Sequence, residues 1–250
     1  MGATAVENHL AAKTITPSQP AVGKGNESTR VAWIEQALAQ VPAGARLLDA
    51  GAGEQRFRPF CGHLRYVSQD FAQYNGQGDG AGLQTKTWDQ TRLDIVSDVT
   101  AIPEPDGSFD AILCTEVFEH LPDPVAAVHE FARLLRPGGR LILTAPFCSL
   151  THFAPYHFAS GLSRYWYRHH LPAAGFDVCS IEENGNFFEF LAQELRRLRG
   201  VAGRYAEGKL AAGEQAAIGT VLEALARFSG NDAGSNELLS FGLHVIAERR

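Results

Sequence analysis

Cysteine is scarce in this chain: Cys61, Cys114, Cys148 and Cys179 are the only four, and no two stand in Cys-x-x-Cys spacing. That argues against a disulfide framework, and the expectation is buried thiols in a reducing compartment. Long apolar runs are also missing. None approaches the roughly 18 residues that cross a bilayer, and the N-terminal stretch lacks the basic-then-apolar order of a signal peptide, so no membrane span is expected and a cytoplasmic location is. Basic clusters are short, the longest being "RRLR" at 196–199, and 22 Lys plus Arg stand against 28 Asp plus Glu for a net charge of −6. A nucleic-acid backbone is therefore not an expected partner.

What is present is the composition of a globular protein, 45% hydrophobic and 20% charged over 250 residues, enough for a full core without metal or disulfide. Residues 1–27 carry no periodicity and read as a flexible tail. From Ser28 an apolar stripe of Val31, Ile34, Leu38 and Val41 predicts a helix, which Pro42 and Gly44 end. Short apolar runs follow at 45–50, 65–69, 93–98, 109–115 and 140–146. They do not alternate, so both faces of each strand are buried, as in a parallel sheet between helices. Val125, Val128, Phe131 and Leu135 mark a helix before the fifth run, stopping at "RPGG". A helix up to Leu171, a sixth strand at 176–183 and a seventh at 237–249 complete the pattern. The fold class is α/β, a doubly wound, Rossmann-like, seven-stranded and mostly parallel sheet with helices on both faces. Residues 28–250 read as one domain with a helical insertion at about 184–235, whose two helices show single apolar faces. A lid over a pocket or a homodimer contact would each cover those faces.

The stretch "ARLLDAGAGEQRFRPF" (45–60) looks at first like a dinucleotide turn, but the third glycine of Gly-x-Gly-x-x-Gly is replaced by Arg56 and a carboxylate, Asp49, precedes the turn. A negative charge there repels pyrophosphate and attracts an ammonium or sulfonium group. These residues resemble the class I S-adenosylmethionine-dependent methyltransferases, and the likeness runs from residue 45 to the C-terminus. "LLDAGAGEQ" is similar to that family's first motif, "RYVSQD" to its second strand, "SDVTAIP" to its third, and "FDAILCTEVFEHLPDP" with "LLRPGGRLILTAPF" to its fourth and fifth. The resemblance implies S-adenosyl-L-methionine as cofactor. It assigns Asp49 to the methionine amino group, Gly51 and Gly53 to close backbone approach, Asp70 to the ribose hydroxyls with Phe71 beside it, Asp98 and Val99 to the adenine, and Thr115 to the same site. The bland readings are that Asp70 caps a helix, Asp98 forms a turn and the glycines serve the turn alone.

The fourth strand ends in "CTEVFEH" and lacks the Asn/Asp-Pro-Pro-Tyr/Phe signature of enzymes that methylate base or amide nitrogens. A small-molecule or glycan-like acceptor, methylated at oxygen, is the expectation; the alternatives are transfer to nitrogen or carbon, or a binding protein that has lost turnover. Methyl transfer needs alignment above all, and a base when a hydroxyl is the acceptor. His120 in "TEVFEHL" and His152 and His157 in "PFCSLTHFAPYHF" are the candidates, with loop packing as their other reading. His152 and His157 are five apart and His169 and His170 adjacent, which is not the helical zinc pair at i and i+4, so no metal is expected. Aromatic density between the fifth and sixth strands suggests a lid over a flat acceptor, or core packing.

Overall fold

The computed structural model describes residues 20–85 and 87–250; the expectation of a loose tail lies outside the described residues for 1–19. Inside them that tail ends early. Helix α1 spans Asn26–Ala39, starting two residues before Ser28, and Val22 is already buried, packed with Ala192, Leu222 and Leu225 of the insertion.

Seven strands form a single sheet in the order β3-β2-β1-β4-β5-β7-β6. They are β1 Arg46–Ala50, β2 Arg65–Asp70, β3 Ile95–Val96, β4 Phe109–Thr115, β5 Leu135–Pro146, β6 Phe176–Asn184 and β7 Gly242–Arg249. Pairing is parallel from β3 through β5, with Leu48 opposite Val67 on one side and Ile112 on the other. β7 slots between β5 and β6 antiparallel to both, Ile142 opposite Ile246 and Ile181 opposite Val245. The third strand is shorter than its sequence run because Asp94 leaves the ladder to accept hydrogen bonds from Ser68 through backbone and hydroxyl.

Both faces are covered, as non-alternating strands require. On one face Leu48, Ile112, Leu141, Leu143 and Val245 pack with helices α2 (Pro124–Leu134) and α3 (Arg164–Ala173). On the other, Leu47, Ala111, Leu113 and Ile142 meet Ile34 and Leu38 of α1. Each such Leu, Ile or Phe contributes about 1.5–3 kcal/mol by leaving water. Helix α2 starts where the sequence dictates: Asp123 caps it by accepting from the Ala126 amide at 3.0 Å, and Pro124 fills the first position, where no amide is needed. The insertion forms α4 (Phe187–Tyr205) and α5 (Ala212–Gly230), packed on each other through Phe188, Leu195, Ile218 and Leu222. No helix among the described residues is long and apolar enough to cross a membrane.

The chain order reverses between β1 and β4, and open α/β sheets bind ligands beyond the carboxyl ends of the strands at such a point.

Candidate functional site

After β1 the chain turns at Gly51, whose amide and that of Ala52 both donate to the Gln69 carbonyl at 2.8 Å. Gly51 has φ +77°, and a Cβ there would stand 2.4 Å from Val117 Cγ2. Only glycine lets the backbone lie this close. Two residues on, the Gly53 amide donates to Asp70 Oδ2 at 2.9 Å, while Asp70 Oδ1 accepts from the Ala72 amide at 2.9 Å and from Gln90 at 3.0 Å. Burial lifts the Asp70 carboxyl above the usual range, and those donors pull it back.

Gly51 and Asp70 border a cavity of about 520 Å³. Its floor includes Phe71, Asp98 and Val99, and its far wall His120, Phe153, Tyr156 and Phe158. Asp98 Oδ1 accepts from the backbone and hydroxyl of Thr100, the turn its residue type favours. Two loops close the wall. The segment after β2 supplies Tyr74 and Trp88, with Tyr74 stacked on Phe153 at 4.4 Å and Trp88 edge-on to Phe153 at 5.2 Å. This segment is zipped to the one after β5: Leu83 donates to the Thr151 carbonyl, Phe153 to the Leu83 carbonyl and Asp79 to the Ala154 carbonyl. Gly78 and Gly82 permit that approach, since a Cβ on Gly82 would lie 2.5 Å from the Thr151 oxygen. From the insertion, Arg204 donates to the carbonyls of Gly82 at 2.6 Å and Gly80 at 3.1 Å.

His120, His152 and His157 meet at the far wall, with one ring nitrogen of each within 4.8 Å of the others. His120 stacks flat on Phe153 at 5.0 Å. Its Nδ1 lies 2.5 Å from the Tyr156 carbonyl oxygen, and His152 Nδ1 lies 2.8 Å from that of Leu150. Beneath them sits Glu119, fully buried, its Oε1 3.6 Å from His120 Nε2 and 3.7 Å from His152 Nε2. Those separations are charge contacts, too long for hydrogen bonds. Burial pushes Glu119 up to about 6 and His120 down to about 4. For His152 burial opposes the proton but the Glu119 carboxylate outweighs it, so its pKa rises; His157 falls through burial and the neighbouring His152.

Comparison with known proteins gives this architecture its relatives. A methyltransferase-domain family model matches residues 48–143. Over that stretch the chain is similar to a methyltransferase domain. The chain is 36% identical over 115 residues to a ubiquinone biosynthesis O-methyltransferase of Xanthomonas oryzae pv. oryzae, a match covering 41% of this chain and 43% of that one. It is 49% identical over 104 residues to the enzyme of that name from Xanthomonas campestris pv. campestris, covering 40% and 43%. The chain thus spans less than half the length of the curated relatives it matches. Among solved structures, the [4+2]-cyclase SpnF superposes with TM-score 0.53 at 19% identity, covering 91% of this chain and 83% of that one. A phosphoethanolamine N-methyltransferase of Haemonchus contortus does so with 0.50 at 16%, covering 89% and 52%. At those identities the likeness is one of fold.

Of the positions the methyltransferase motifs single out, Gly51, Asp70, Phe71, Asp98 and Val99 border the cavity, whereas Asp49, Gly53 and Thr115 do not. Asp49 lies on the α1 face of the sheet, 1% exposed, accepting from the Tyr66 hydroxyl at 2.5 Å. Burial lifts it to about 7, with the Asp70 charge adding to the effect. Gly53 serves the turn and holds Asp70, with a Cβ there 2.8 Å from the Trp88 ring. The three histidines come together, but only His120 borders the cavity; His152 and His157 stand behind it. Tyr74, Trp88 and Arg204 give no local signal in the sequence, because contacts between segments far apart in the chain set their positions. The burial of Glu119 gives none either. On the other side of the cavity, Arg30 of α1 pairs at 3.2 Å with Glu116, which lines it, and Trp33 stacks on His244 at 4.6 Å.

Proposed function

We propose that this chain methylates a hydroxyl oxygen of a small, flat acceptor with S-adenosyl-L-methionine as donor. The observation that carries the reading is one cavity joining two kinds of surface: a glycine-and-carboxylate cradle at the ends of β1 and β2, and an aromatic and histidine wall built by the loops. The cradle suits the cofactor, because a nucleoside with a charged amino-acid arm needs bare backbone, a carboxylate for vicinal hydroxyls and an apolar slot for a base. Gly51, Asp70, Phe71 and Val99, which all line the cavity, are of those types. When bound, the cofactor supplies an electrophilic methyl group on sulfur. The protein's part is alignment and exclusion of water: Tyr74, Trp88, Phe153 and Phe158 enclose the acceptor end, and a displacement in line gains most from such confinement. The histidine trio with Glu119 is the concentration of proton-accepting groups beside that end. Oxygen as the acceptor atom is supported by the relatives named for O-methylation and by the absence of the Asn/Asp-Pro-Pro motif.

Calorimetry with S-adenosylmethionine, followed by transfer of isotopically labelled methyl to a panel of phenols, sugars and amines, tests the reading. Micromolar cofactor binding with label on phenols or sugars is the expected result. Absence of cofactor binding at high micromolar concentration sinks the enzyme, and label only on amines moves the acceptor atom to nitrogen.

A further inference from the structure

We propose that His120, His152 and His157 bind a divalent ion of the zinc class, with the buried Glu119 carboxylate as a neighbouring negative charge. Hydrogen placement decides what this cluster needs. A carbonyl oxygen only accepts, so the Nδ1 atoms of His120 and His152, set against the Tyr156 and Leu150 carbonyls, both carry their hydrogens. Their Nε2 atoms are then lone pairs, and both point toward Glu119 Oε1, itself a lone-pair atom, at 3.6 and 3.7 Å. His120 Nε2, His157 Nδ1 and both Glu119 oxygens are buried and without any hydrogen-bond partner. The lone pairs of His120 Nε2, His152 Nε2 and Glu119 face one another and repel, and each buried unpaired group, His157 Nδ1 included, costs free energy. Something positive belongs between them.

An ion meets the requirement better than a proton. One proton on His152 pairs with Glu119 but leaves His120 Nε2 and His157 Nδ1 unsatisfied, whereas a single metal takes a lone pair from each of the three imidazoles. Three imidazoles form a donor set that suits zinc. The Nδ1–H bonds to backbone carbonyls are the outer contacts that fix ring tautomer and orientation in histidine metal sites. Zinc–nitrogen bonds of about 2.0–2.1 Å place ligand atoms about 3.3 Å apart, so the trio draws inward on binding. Its members come from two loops, His120 from the 3-10 turn Phe118–His120 after β4 and the others from the segment after β5. An ion would stitch those loops together. It would also put positive charge in the wall His120 gives to the cavity, where an acceptor hydroxyl is made more acidic. The inference rests on the methyltransferase reading only for the acceptor's location.

The test uses the full chain, stripped with chelator and titrated with Co(II) and Zn(II). The tetrahedral Co(II) visible spectrum and competition against a chromophoric chelator are the readouts, with S-adenosylmethionine calorimetry on the same samples. One ion per chain is expected, with the Co(II) band of mixed nitrogen and oxygen ligation. Binding should weaken by more than about 100-fold in His152→Ala and His157→Ala, and by less in Glu119→Gln. His169→Ala, at an exposed position of α3, should bind as wild type. Retained cofactor binding shows that a variant is folded. A wild-type chain that binds cofactor but no ion, or trio variants that hold zinc as tightly as wild type, overturns the metal site and leaves the methyltransferase reading intact. A chain that binds the ion but no cofactor does the reverse.

Discussion

The Gly53 amide holds Asp70 by a 2.9 Å hydrogen bond, so the turn after β1 and the end of β2 are locked into a single unit. With Ala72 and Gln90 it arranges donors around the carboxylate, leaving Asp70 oriented at the cavity edge.

Asp70→Asn keeps the shape and removes the charge. An uncharged group loses the stronger, charge-assisted bonds to ligand hydroxyls, so affinity for S-adenosylmethionine should fall by about 10- to 100-fold in calorimetry. An unchanged dissociation constant would remove Asp70 from the cofactor site.

Asp49 gives a pH dependence with an unusual sign. Its carboxyl titrates near 7 when folded, against about 3.9 in an unfolded chain. Between those values the native state holds the extra proton, so this group lowers stability progressively as pH rises from about 4 to 7, and fully above that. Asp49→Asn keeps an acceptor for the Tyr66 hydroxyl and has no such titration. Thermal unfolding should show the variant gaining a few degrees on wild type at pH 8 compared with pH 5. Parallel melting-temperature profiles for the two proteins would refute a raised Asp49 pKa.

Gly80 and Gly82 both have positive φ, yet only Gly82 faces a neighbour, the Thr151 carbonyl. Alanine at either pays the backbone strain of about 1 kcal/mol, and at Gly82 it also forces the two loops apart. Steady-state kinetics should therefore show the acceptor KM of Gly82→Ala raised about tenfold beyond that of Gly80→Ala, while the cofactor dissociation constant is shared. Equal effects from the two would dismiss the zipped wall as an acceptor surface.

Arg204 braces the same wall from α4. Arg204→Ala should raise the acceptor KM about threefold, the loss of roughly 0.7 kcal/mol from exposed hydrogen bonds, with kcat unchanged. In combination with Gly82→Ala its effect should shrink, because the bond it makes no longer has a fixed carbonyl to meet; full additivity would show that the insertion acts elsewhere.

The sheet was legible because its strands are buried on both faces and so appear as unbroken apolar runs, bounded by residues such as Gly51, whose positive φ turns the chain after β1. Its edges were less so: β3 shrank to Ile95–Val96 once Asp94 turned to Ser68. The first turns of the site could be read because Gly51, Asp70 and Asp98 stand at strand ends, where local spacing decides position. Asp49 shows the limit. Strand alternation puts it on the same face as Leu47, toward α1, although its motif suggests a ligand contact. The histidines show another: testing spacing within "THFAPYH" misses a cluster whose third member, His120, arrives from a different loop. Trp88 and Arg204 carry no local signal, since their partners are set by tertiary pairing.

The glycine-rich segment and the histidine segment are joined by backbone bonds to each other, not to the seven-stranded sheet. Parting them breaks a few backbone hydrogen bonds, the single Leu83–His152 bridge and the ring contacts of Phe153 with Tyr74 and Trp88, but no pairing within the seven-stranded sheet, so the cavity has a seam. Opening along that seam would cost the Phe153 ring contacts but leave the Gly53–Asp70 bond and every strand of the sheet in place, so the wall and the cradle are held by different sets of interactions.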